Sequence, residues 1–127
     1  MIIIRDEILK INVYLAVGSN VEFVEYLNEN FKDSIFIDAV AGDYNKFKTA
    51  EGYCIGDYHN EIFHLFIWLR KFDESAYWLR VLSHECNEAT RFVFDELFQA
   101  EKYTHANIRY QDELFETCLK KIRGKNG

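Results

Sequence analysis

Leu79, Leu82, Cys86, Ala89, Val93 and Leu97 fall three or four residues apart at every step, the spacing of one apolar face of an amphipathic α-helix. With Tyr77 ahead of the series, and Asp73 or Ser75 placed to cap it, this helix is expected to be the longest element of the chain. It needs an apolar surface to lie on. Residues 61–71 (EIFHLFIWLRK) supply one: they are rich in β-branched and aromatic types between polar clusters and read as the strand at the centre of a sheet.

The remaining elements follow the same periodicities. Residues 11–17 (INVYLAV) alternate, run apolar and stop at Gly18-Ser19-Asn20, which reads as a strand and a turn; Ser19 or Asn20 then caps a helix over 21–31, striped by Val21, Phe23, Val24, Leu27 and Phe31. A short strand is expected at 34–38 (SIFID), a loop over 39–50, and a weak strand at 53–58 broken by Gly56. A connector at 102–108 leads to a last helix over 111–123, with Leu114, Phe115, Cys118, Leu119 and Ile122 on its buried side and Gly124 as its stop. These elements make an α+β fold: a small twisted sheet of three or four strands with about three helices, the last two covering one face.

Length and charge bound the rest. A chain of 127 residues is the size of one domain, 1–127, and 49% apolar with 28% charged residues is a globular balance, not a disordered one. Acidic residues outnumber basic ones 21 to 15, a net charge of −6, which disfavours nucleic acid and anionic membrane as partners. Arg5, Asp6, Glu7 and Lys10 interrupt the apolar N-terminus too early for a signal peptide or a membrane span, so a cytoplasmic protein is expected. Cys54, Cys86 and Cys118 lie 32 residues apart, a spacing that suits buried reduced thiols better than a close zinc pair or an even set of disulfides. With 21 aromatic residues, 17% of the chain, some are expected on a surface used for contact.

One motif carries chemistry. Within the long helix stands Ser83-His84-Glu85-Cys86-Asn87-Glu88, an HExxE arrangement in which His84 and Glu88 share a helical face at i and i+4 and can reach one ion. In the HExxH form two imidazoles bind zinc and the intervening Glu takes a proton from the bound water. Here a carboxylate replaces the second imidazole, and a third ligand has to come from elsewhere. Glu113 comes first, with Asp112, Glu116, His105, His64 and His59 behind it. The same residues fit a solvated helix face, since Glu88 with Arg91, and Arg91 with Asp95, have the spacing of exposed ion pairs.

The order strand, helix, strands, long helix with Leu82-Ser83-His84-Glu85-Cys86, then a helix opening Asp112-Glu113-Leu114, resembles the small zincin-like metallopeptidase proteins of phage and prophage genomes. Leu82, His84, Glu85, Ala89, Asp112 and Glu113 match that family's pattern, and Glu88 stands where it has its second metal-binding His. The resemblance implies a zincin-like fold and a possible zinc-dependent metallopeptidase, with His84, Glu88 and Glu113 as metal ligands and Glu85 as the catalytic base. It also implies that the strand with Ile67 and Trp68 is the edge along which a peptide substrate lies. Two functions are open: metal-assisted peptide hydrolysis, and a small acidic protein that binds or blocks another protein or peptide through aromatic surface on the same scaffold.

Overall fold

The computed structural model describes residues 2–8, 11–31, 49–59, 62–96 and 105–126. Four strands form one mixed sheet: β1 (Ile2–Ile8), β2 (Ile11–Val17), β3 (Gly52–His59) and β4 (Ile62–Leu69), in the order β1-β2-β4-β3. β1 with β2 and β3 with β4 are antiparallel, while β2 and β4 run parallel, Leu15 beside Ile67 and Ala16 beside Trp68. Among the described residues three helices, α1 (Asn20–Asn30), α2 (Ala76–Glu96) and α3 (His105–Asn126), join the sheet in an α+β fold. The strand expected at 34–38, most of the loop after it and the start of the 102–108 connector lie outside the described residues.

The sheet is covered on both faces, and alternation along β4 divides its side chains between them. Phe63, Leu65, Ile67 and Leu69 join Leu82, Cys86, Ala89 and Val93 of α2 and Tyr110, Leu114, Cys118 and Ile122 of α3. His64, Phe66 and Trp68 point the other way, into a layer closed by Phe23, Leu27 and Phe31 from α1 and its C-terminal end. A strand buried on both faces has no polar alternation, which is why residues 61–71 read as a continuous apolar run. β4 is therefore central, as its apolar run suggested, and cannot be the edge that the resemblance implies for Ile67 and Trp68; among the described residues β1 and β3 are the outermost strands.

β1 forms where no strand was expected; on it Arg5 donates to Asn12 Oδ1 at 3.1 Å and lies over the Tyr14 ring. Two expected stops are overridden. β3 passes through Gly56 unbroken, since Phe63 and Leu65 fill the space where a side chain would stand. Gly124 does not end α3, which begins at His105 and runs on to Asn126.

α1 starts as its sequence implies. Ser19 Oγ accepts from Glu22 N at 3.1 Å, and Glu22 Oε1 accepts from Ser19 N at 3.2 Å, a reciprocal capping box. Ser19→Ala is expected to lower stability by about 1 kcal/mol, measured as a shift in the urea midpoint with unchanged slope. No shift would mean that packing of Phe23 and Leu27 alone places the helix.

Candidate functional site

α2 lies across β3 and β4 and packs beside α3. Ser75 Oγ accepts from Trp78 N at 3.3 Å in its first turn, and Glu74 just ahead of it accepts two hydrogen bonds from Arg123 of α3, at 2.8 and 2.9 Å. That pair holds the Glu74 carboxyl below its usual range by the Arg123 hydrogen bond. The beginning of α2 is thus tied to the end of α3.

The expected face assignment holds. Leu82, Cys86, Ala89 and Val93 are buried, His84, Arg91 and Asp95 are exposed, and Glu88 is half-buried with Arg91 Nη1 at 3.7 Å. Glu85 belongs to neither group. At about 100° per residue it stands roughly 40° from Ala89 and 60° from Leu82, on the flank of the apolar stripe, and it is only 7% exposed. The sequence signal was present in the spacing Leu82, Glu85, Ala89.

What receives Glu85 is Gly52, the first residue of β3: a Cβ there would lie 2.8 Å from Glu85 Cγ and 3.0 Å from its Oε1. The helix comes close to the strand because the strand has no side chain at that position. Gly52, Tyr53 and Cys54 on one side, and His84, Glu85, Glu88 and Phe92 on the other, line a cavity of about 510 Å³. A second of about 380 Å³, more apolar, adjoins it; it shares Gly52, His84 and Glu85 and adds Glu51, Tyr77, Arg80 and Val81. Both open beside β3, whose outer side has no strand paired to it among the described residues.

All three cysteines are free and buried, as their spacing suggested. Burial, followed by the Glu85 and Glu88 carboxylates, pushes the Cys54 thiol well up, and a hydrogen bond with Cys118, then burial, raises Cys86. Burial of both thiols suits them to packing in the core. Cys86→Ala is expected to cost about 1 kcal/mol in urea unfolding through lost packing. An unchanged urea midpoint would contradict the packing of Cys86 in the core.

Comparison with protein-family models, with curated proteins and with solved structures gave no match. Of the expected metal ligands, His84 and Glu88 line the same cavity; Glu113 is exposed on α3 and is not among the lining residues. Among the described residues no three His, Cys, Asp or Glu side chains are grouped so as to hold an ion. Asp112 and Glu116 are exposed on α3, and His64 lies on the opposite face of the sheet against Tyr14 and Phe31. The side chains of His59 and His105 lie outside the described residues.

Among the described residues the aromatic side chains divide between surface and core. Tyr58 and Tyr77 are half-exposed, whereas Tyr14, Phe23, Phe31, Phe66 and Trp68 pack under α1. No helix among the described residues is long and apolar enough to cross a membrane.

Proposed function

We propose that this chain is a zincin-like protein, resembling phage-encoded zinc metallopeptidases, whose altered HExxE cleft binds an extended peptide segment of another protein without cutting it. The observation that carries this reading is the shared cavity: the His84, Glu85 and Glu88 face of α2 and the Gly52–Cys54 end of an edge strand line the same space. An extended segment laid beside β3 would place its alternate side chains in the cavity next to that strand. The carboxylate of Glu88 in place of a second imidazole adds negative charge that would weaken the Lewis acidity of a bound zinc, which favours binding over hydrolysis.

The test is incubation of the protein with a pool of short unstructured peptides, with added zinc and with chelator, reading retention on the immobilised protein and peptide masses. Retention of intact peptides under both conditions is expected, and absence of retention sinks the reading. A second reading, metal-assisted hydrolysis, is favoured by Glu85, which lines the cavity beside His84 where a base would act. Were zinc bound there, it would activate water, with His84 and Glu88 as ligands. That reading requires zinc-dependent cleavage of the same pool, abolished by Glu85→Gln.

A further inference from the structure

We propose that Cys86 of α2 and Cys118 of α3 are a site of reversible oxidation, at which a peroxide converts the two thiols to a disulfide that pins the helices together on the inner face of the sheet. The proposal is independent of what the cleft binds.

Helix packing sets the placement. α2 and α3 lie side by side, and Leu82, Cys86 and Ala89 of one join Leu114, Cys118 and Ile122 of the other in a single core cluster. Each cysteine is the middle member of its inward stripe, Cys86 with no exposed surface and Cys118 4% exposed. Their thiols share a hydrogen bond, so two sulfurs 32 residues apart in sequence (118 − 86) adjoin across the helix interface.

Buried thiols by themselves are ordinary core packing. The second observation is Tyr110, on the inward side of α3 in the same cluster. Tyr110 is 1% exposed and its hydroxyl has no hydrogen-bond partner. A buried phenol normally has one, and leaving it unmet is costly. Burial, followed by Cys118, pushes the Tyr110 phenol up, which puts the hydroxyl within electrostatic reach of that sulfur. A thiol offers this donor only a weak acceptor, whereas a sulfenic acid at Cys118 offers an oxygen. Cys54 of the same cluster lines the cavity of about 510 Å³, so a molecule as small as hydrogen peroxide reaches the strand side of the cluster.

The chemistry balances in two steps. The O–O bond of the peroxide breaks as one oxygen passes to the Cys118 sulfur, and the other oxygen leaves as water with the thiol proton. The Cys86 sulfur then attacks the sulfenic sulfur, the S–S bond forms, and a second water carries off the hydroxyl and the Cys86 proton. The thiols lose two electrons and the peroxide is reduced to two waters. A small dithiol reverses the bond by exchange and is itself oxidised.

The test treats the folded, reduced full chain with hydrogen peroxide, alkylates the remaining thiols after unfolding, and maps the linked peptides by mass spectrometry without reduction. A Cys86 to Cys118 link with Cys54 alkylated is expected, together with a rise of about 1–2 M in the urea midpoint that dithiothreitol reverses. Cys118→Ser should abolish link and shift, and Cys54→Ser should keep both. Tyr110→Phe should slow formation of the link severalfold without lowering the urea midpoint of the reduced protein. Cys86 and Cys118 recovered as free thiols, or either one linked to Cys54 instead, overturns the proposal, and an unchanged rate in Tyr110→Phe overturns the part given to that hydroxyl.

Discussion

Trp68→Ala is expected to destabilise the protein by about 3–5 kcal/mol, the range for deleting a fully buried Trp, against a total of about 5–15 kcal/mol for a domain. Trp68 is fully buried in the central strand, between Ala16 of β2 and Tyr53 of β3. Its indole Nε1 donates to Gly18 O at 3.0 Å, its ring stacks on Phe23 with centroids 6.1 Å apart, and the Arg70 guanidinium lies over it at 5.4 Å. Truncation leaves a cavity beneath α1, an unpaired carbonyl in the turn that launches that helix, and a displaced cation. Urea unfolding followed by circular dichroism measures the loss, with partial unfolding at ambient temperature expected in the variant. A loss below about 2 kcal/mol would mean that α1 collapses into the vacancy, and that the aromatic layer is far more plastic than its ring geometry implies.

The second large effect lies at the contact between β3 and α2. Replacing a strand glycine by alanine ordinarily stabilises by about 0.4–1 kcal/mol, by restricting the unfolded chain. At Gly52 the sign should reverse, because the new Cβ would meet Glu85 Cγ at 2.8 Å and a buried side chain has little room to yield. Gly52→Ala is expected to cost about 1–3 kcal/mol, as overpacking does. In a Glu85→Ala background the same change should be neutral or stabilising. The double-mutant cycle isolates this contact from everything else Glu85 touches. Additive effects would show that Glu85 is not held against Gly52, and would remove the physical basis for the cleft wall. A coupling of the expected size, joined to loss of peptide retention in Gly52→Ala, would link the contact to function.

Much was legible before the fold was known. The three-and-four spacing from Leu82 to Val93 set the face of α2 and with it the burial of Cys86; alternation set β2; the continuous apolar run set β4 as a strand covered on both sides; and Ser19 with Glu22 set the start of α1. Each of these is a property of one segment, and periodicity reports which sides of a single element avoid water. What the tertiary structure alone decided concerns pairs of segments distant in sequence. It chose the neighbours of the central strand, β2 in parallel on one side and β3 in antiparallel on the other, because two parallel strands pair only after the chain has crossed over between them. It gave Gly52 its meaning, since the missing side chain matters only when a carboxylate 33 residues later (85 − 52) packs onto it. It left Glu113 in solvent on α3 while His84 and Glu88 face the cavity, because the matching of motif residues along a chain does not fix the rotation of one helix about its axis relative to another. That rotation is set by which side chains interdigitate: Tyr110, Leu114, Cys118 and Ile122 turn inward on α3, and their burial turns Glu113 outward.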